Sequence, residues 1–391
     1  MKNTAHTKKL IGEIFQEIGN AIESGQYQNK VKVGITLLGS EHGFENIVKG
    51  AELAQSKSKD IEVILIGPHV QTSLPIIEAN SEEESFKLME ECLENGSLQA
   101  CVTMHYNFPI GVSTVGKVVT PGFGKEMFLA TTTGTSSIHR VEGMIKNALY
   151  GIATAKAMGV KEPTVGILNL DGARQVERVL KKLQGNGYPI HFASSGRQDG
   201  GIVMRGNDLL MATPDIMVMD TLTGNVMMKV LSSFTTGGNY ESVGYGYGPG
   251  VGDNYDKIIL ILSRASGIPV VANALQYAAD LAKGSLQDVA KKELDQAKKA
   301  GLEEFVKELD QNKETDDTVK MPEKQIVTGQ IAGIDILDLE DAMKALWKES
   351  IYAESGMGCT GPILLVNEQN LEIALKALSK HGYVAQEGED C

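Results

Sequence analysis

Cys359 stands in the run Glu354-Ser355-Gly356-Met357-Gly358-Cys359-Thr360-Gly361-Pro362, directly before the apolar segment Ile363-Leu364-Leu365-Val366. A thiolate is a strong nucleophile near neutral pH and needs no metal, provided that it can be reached. Flanking glycines let the backbone approach a ligand closely. A cysteine kept for packing belongs inside an apolar helix or strand. Spacing alone therefore leaves two readings of Cys359 open, a catalytic thiol and a loop cysteine without a role. The other three cysteines look structural or incidental. Cys92 lies on a helix with Phe86, Met89 and Leu93, Cys101 begins an apolar strand, and Cys391 ends the chain after Glu389-Asp390. No CxxC and no zinc-ligand spacing occurs, so no metal site is expected. Free thiols in a reducing cytoplasm are expected.

A second group of residues suits anions. Ser263-Arg264 follows the apolar strand Ile258-Ile259-Leu260-Ile261-Leu262. A hydroxyl and a planar fork of guanidinium donors at a strand's end suit phosphate, though a surface arginine in a turn fits the spacing as well. Thr223-Gly224-Asn225 follows the strand Asp215–Asp220 and opens a helix. Ligands of open α/β sheets bind at carboxyl ends of strands, where free helix N–H groups point outward. Asp220 either orients a nucleophile or, as is commoner, caps that turn. Thr131 to Ser137 carries six hydroxyls and a glycine between a strand and a helix, and reads as an anion-binding or N-capping loop. His139 and Arg140 after it read as a solvated first helical turn. Thr235 to Asn254, with seven glycines, reads as a loop. A thiol together with anion-suited turns points to acyl transfer. N–H groups of Gly358, Thr360 and Gly361 are candidates to hold the developing oxyanion of a thioester.

These residues need elements to position them. At 391 residues the chain suits two domains. Hydrophobic residues at 42%, aromatics at only 5% and 43 glycines fit an α/β protein with many tight strand–helix turns. The net charge of −13 argues against nucleic acid as partner, and no apolar run is long enough to span a membrane. Strands at Val31–Leu38, Ile61–Gly67 and Cys101–Met104 alternate with amphipathic helices, which predicts mainly parallel sheets with helices on both faces. The expected organisation is an N-terminal helix over 1–30, α/β lobes over 31–150 and 151–284, a charged helical and linker segment over 285–330, and an α/β extension over 331–391 carrying the Cys359 loop.

Pro214 to Lys229, with its strand–Gly224-Asn225–helix order, resembles a segment of the phosphate acetyl/acyltransferase superfamily, and Leu262-Ser263-Arg264 resembles its Leu-Ser-Arg. That similarity covers roughly Val31 to Gly284 and implies a two-lobed α/β fold with phosphate as acyl acceptor. The charged stretch and the Cys359 tail depart from those enzymes. With them, the whole chain resembles the alpha subunits of component C of glycine/sarcosine/betaine reductases. The resemblance implies a catalytic thiol at Cys359 and phosphate contacts at Ser263 and Arg264, with Gly224 and Asn225 as cleft residues. It also implies an acetyl thioester cleaved by inorganic phosphate to acetyl phosphate, and partners in a component C beta subunit and selenoprotein A. No cofactor is implied. Two rivals stay open, a coenzyme A-dependent phosphate acyltransferase and a non-catalytic scaffold subunit.

Overall fold

The structure is a computed structural model that describes residue 19 and residues 30–196, 200–308, 319–334, 338–358 and 361–384. The helix expected over 1–30 (apart from residue 19), Cys359, Thr360 and Cys391 lie outside the described residues. Contacts divide the chain into two compact units, residues up to 168 with 190–296, and residues 169–189 with 297 onward.

The first unit is built on one 12-stranded sheet. Its elements begin β1 (Val31–Thr36), α1 (Phe44–Lys57), β2 (Ile61–Gly67), β3 (Ile76–Glu78), α2 (Glu82–Glu94) and β4 (Ala100–Thr103). They continue β5 (Val112–Val119), β6 (Glu126–Thr135), α3 (Arg140–Ala157) and β7 (Thr164–Leu168). After α4 (Ala173–Gly185), which belongs to the second unit, come β8 (His191–Phe192), β9 (Val203–Met204), α5 (Gly206–Leu210), β10 (Ile216–Val218) and α6 (Thr221–Ser233). The last are β11 (Gly248–Gly252), β12 (Ile259–Ile261), α7 (Ile268–Lys283) and α8 (Leu286–Lys299).

The sheet order is β3-β2-β1-β4-β12-β11-β5-β6-β10-β7-β8, with β9 also beside β7. Its outer strands are parallel: Ile35 pairs with Leu65 and Val102, Ile261 with Thr103, and Val218 with Ala130 and Ile167. Near-continuous apolar runs make such strands, because a parallel sheet is buried on both faces; Val33, Ile35, Val63 and Leu65 are all fully buried. The α/β class and the mainly parallel sheet are those expected.

The middle of the sheet differs from the expectation. The pairings β12–β11, β11–β5 and β5–β6 are antiparallel, so the two parallel sets run in opposite directions. One sheet passes through both stretches expected as lobes, since β12 pairs with β4 and β10 with β6. Two loops of the sequence reading are strands. Gly248–Gly252 is wholly buried as β11, and a Cβ on Gly248 would lie 1.7 Å from the Val115 carbonyl oxygen. Glycine is therefore what lets β11 lie beside β5. Thr131–Thr135 continues β6, with the hydroxyls of Thr131 and Thr132 buried and hydrogen-bonded inside the sheet. Thr132 Oγ1 donates to the Tyr247 carbonyl (2.6 Å) and lies 2.7 Å from Thr114 Oγ1, which in turn accepts from Thr133 N–H (3.0 Å).

In the second unit, β13 (Gly329–Ile331), α9 (Leu339–Lys348), β14 (Ala353–Gly358), β15 (Gly361–Val366) and α10 (Leu371–Lys380) follow one another. The strands form an antiparallel sheet in the order β13-β15-β14. Ile331, Leu346, Leu364, Val366, Ala374 and Leu378 make its core. Where the sequence reading places a loop from Glu354, the chain is strand as far as Gly358, held in place by pairing with β15.

Candidate functional site

α6 carries most of the anion-suited residues. It starts because Asp220 caps it: Oδ1 accepts from Thr223 N–H (2.9 Å) and Oδ2 from Thr223 Oγ1 (3.0 Å). Capping is thus the role of this aspartate in the fold. Arg140 also donates to Asp220 Oδ2 (2.8 Å). Burial opposes charge on Asp220, but the Thr223 N–H and the Arg140 guanidinium outweigh it and hold the carboxyl below its usual range.

The first turn of α6 lies against the end of β6. Thr221 Oγ1 donates to the Gly134 carbonyl (3.0 Å) and Asn225 Nδ2 to the Thr132 carbonyl (3.0 Å). Gly224 passes so near Thr131 that no side chain fits between them. Thr223, Gly224 and Asn225 therefore come together after the carboxyl end of β10: Thr223 bonds the cap, and Gly224 and Asn225 seat the helix on the sheet.

One turn after Asn225, Lys229 reaches the turn that follows β12. Its Nζ donates to Ser263 Oγ (2.6 Å) and lies 2.7 Å from Glu241 Oε1. Glu241 is 1% exposed and accepts from Tyr247 Oη (3.0 Å) and Ser266 Oγ (2.8 Å) as well. Ser266 Oγ accepts from Ser263 N–H (3.1 Å), and Ala265 N–H donates to Ser263 Oγ (3.1 Å). This Ser263–Ser266 turn is tied to the rest of the sheet by Leu262 N–H on the Thr103 carbonyl (2.8 Å). Arg264 is exposed at its tip, and among the described residues its side chain has no ion pair or hydrogen bond. The fold thus gathers Ser263, Arg264 and Lys229 at one place, with Asn225 one helical turn away. A cavity of about 280 Å³ opens beside Ile261, lined also by His105, Tyr106, Phe108 and Thr133.

The sequence reading did not assign Lys229, Glu241 or Tyr247. Lys229 had a signal, its i+4 spacing from Asn225 on a helix; the buried Glu241 had none, because its partners come from separate elements. Cys101 is buried, and burial pushes its thiol well above the ordinary range. Cys92 is half-buried and free. The backbones of Gly358 and Gly361 pair across β14 and β15, and Cys359 and Thr360, between them in sequence, lie outside the described residues. No group of metal-ligating side chains occurs among the described residues, and no described helix is long and apolar enough to cross a membrane.

Residues 31–365 match the family described as "Fatty acid synthesis protein". Over 364 residues the chain is 64% identical to the glycine/sarcosine/betaine reductase complex component C subunit alpha of Peptoclostridium acidaminophilum, covering 92% of this chain and 94% of that one. The chain therefore belongs to the fatty acid synthesis protein family and, within it, to the group of component C alpha subunits. It is also 26% identical over 240 residues to the phosphate acyltransferase of Thermotoga petrophila, covering 52% of this chain and 68% of that one. Among solved structures, a branched-chain phosphotransacylase from Enterococcus faecalis V583 superposes with a TM-score of 0.46 at 16% identity, over 64% of this chain and 99% of that one.

Proposed function

We propose that the chain is an acyltransferase subunit that forms acetyl phosphate by phosphorolysis of an acetyl thioester on Cys359. The observation that carries this reading is the Ser263–Arg264 turn, where an exposed guanidinium without an ion pair among the described residues adjoins a hydroxyl fixed by a lysine. Membership in the group of component C alpha subunits and the similarity to phosphate acyltransferases support it.

In the proposed step, hydrogen phosphate is held by Ser263 and Arg264, with Thr223, Gly224 and Asn225 shaping the site. A phosphate oxygen adds to the thioester carbonyl, whose oxygen takes the negative charge, and N–H groups of Gly358, Thr360 and Gly361 are the donors assigned to it. The C–S bond then breaks, the carbonyl re-forms as acetyl phosphate, and the sulfur leaves as the thiolate of Cys359. The proton released by the phosphate ends on that sulfur or in solvent. A thiolate is a good enough leaving group to need no strong general acid. In this reading the acetyl group reaches Cys359 within a reductase complex, with a component C beta subunit and selenoprotein A as partners, in the cytoplasm.

The similarity to phosphate acyltransferases favours a second reading, in which coenzyme A carries the thioester and Cys359 is a bystander. Arsenate-dependent breakdown of acetyl phosphate without coenzyme A separates the two. Arsenate replaces phosphate, and the acetyl arsenate formed hydrolyses. Activity lost in Cys359→Ala and kept in Cys92→Ala and Cys101→Ala is the expected result. Activity unchanged in Cys359→Ala, or strictly dependent on coenzyme A, overturns the thioester mechanism. A chain inactive even with its partner subunit would act as a scaffold.

A further inference from the structure

Ser263 is held in place by its neighbours and has one proton left to give. Its Oγ already accepts from Lys229 Nζ (2.6 Å) and from Ala265 N–H (3.1 Å), which uses both lone pairs of a hydroxyl. Lys229 also has a proton to spare, and it carries charge. An ammonium has three protons to donate; one goes to Ser263 Oγ and one to Glu241 Oε1 at 2.7 Å. The third has no acceptor among the described residues, and the side chain is 47% exposed. The charge is also fixed in place. Glu241 is buried, is itself held by Tyr247 and Ser266, and faces no second cation within ion-pair distance among the described residues.

We infer that Lys229 is the cationic ligand of the oxyanion substrate at this turn, that Ser263 and Glu241 are positioning residues that hold its ammonium, and that the ligand is a phosphate dianion clasped between Lys229 and Arg264. A dianion fits because the site offers two cations of different kinds, a fixed ammonium on α6 and the guanidinium next to Ser263. Glu241 cancels one of the two positive charges, so the free turn keeps a single net positive charge for the dianion to meet. This inference rests on the proposed reading for the identity of the ligand, but not for the thioester or for Cys359.

The test is calorimetric titration of the full chain with inorganic phosphate, with no acyl compound present. Lys229→Met is expected to weaken phosphate binding about 10- to 100-fold, the range for losing one hydrogen bond to a charged group. Lys229→Arg should recover part of the loss, and Cys92→Ala should bind as wild type does. Because Lys229→Met leaves a buried carboxylate without its cation, the double variant Lys229→Met/Glu241→Met is measured with it; the double variant removes the stranded charge and is expected to bind phosphate as weakly as the single one. Glu241→Gln tests positioning: the fold, followed by circular dichroism, should persist while phosphate affinity falls. Phosphate affinity unchanged in both lysine-free variants, or absent from the wild type at millimolar phosphate, overturns the inference. Lys229-dependent binding in a chain that shows no arsenolysis even with its partner subunit would sink the thioester reading and leave this one standing.

Discussion

Gly224 and Thr131 approach each other so closely that a Cβ on Gly224 would stand 1.6 Å from the Thr131 carbonyl oxygen. The contact joins the first turn of α6 to the end of β6, and Asn225 Nδ2 bonds the next carbonyl along, that of Thr132. Neither strand nor helix can yield without losing these bonds. Gly224→Ala is therefore expected to cost at least the upper end of the about 1–3 kcal/mol typical of overpacking. Equilibrium urea unfolding checks it; a cost below about 0.5 kcal/mol, the scale of a neutral surface change, would show that the helix start can shift freely.

Asp220 gives a prediction with a sign in pH. Its carboxyl is held below the usual range in the fold, burial being outweighed by Thr223 N–H and Arg140. In the unfolded chain it titrates near about 3.9. A depressed folded value means that the unfolded state takes up the proton first. The stabilisation is thus complete above about pH 4 and drains away as pH falls through the lower, folded value. Asp220→Ala should lose about 0.5–2 kcal/mol at neutral pH as a missing cap. The gap to wild type should narrow at acid pH, as measured by urea unfolding across a pH series. A gap that stays constant would mean that Asp220 acts only through packing.

Much of the fold was legible because single residue types decide it locally. The apolar runs of β1, β2 and β12 declare buried parallel strands, and Asp220 followed by Thr223 declares a helix start. What was not legible depends on partners far away in sequence. Glycines at 248, 250 and 252 look like a loop, yet each is there because another segment leaves no room: a Cβ on Gly250 would lie 2.3 Å from the Phe108 ring. The threonines at 131–133 look like an exposed anion loop, yet Thr114 and Tyr247 absorb their hydrogen bonds. At the candidate site, Ser263 and Arg264 were visible from their place after an apolar strand. Lys229 gains its significance only from Glu241 and Ser263, which tertiary structure brings to it. The proposed acetyl carrier, Cys359, lies outside the described residues.

Cys101 and Cys92 should separate in a thiol assay. Cys101 is fully buried among Ile66, Met89, Leu98 and Ile259, and burial raises its thiol far from ionisation. Its reaction with a disulfide reagent should be absent in the native protein and should appear with denaturant in step with global unfolding, because the thiolate is the reactive form. Cys101→Ala should cost about 1 kcal/mol, the scale of deleting one buried heavy atom, and leave acyl transfer unchanged. Labelling followed by peptide mass analysis reads both; rapid native labelling of Cys101 would mean that β4 opens locally.

The Glu241 carboxylate should behave as one cooperative unit with its donors. Tyr247 Oη and Ser266 Oγ reach different oxygens, Oε1 at 3.0 Å and Oε2 at 2.8 Å. Burial, and then Glu241 itself, push the Tyr247 phenol well above its ordinary range, so it stays a donor across any workable pH. Removing either hydroxyl leaves a buried anion one bond short, which costs about 1.5–3 kcal/mol for a bond to a charged group. Tyr247→Phe and Ser266→Ala should each show a loss of that size in urea unfolding. Their double variant should depart from the sum by about 0.5 kcal/mol or more, because residues in one hydrogen-bond network couple. Strict additivity would mean that the two oxygens are solvated independently, and that Glu241 does not hold Lys229 as rigidly as these distances imply.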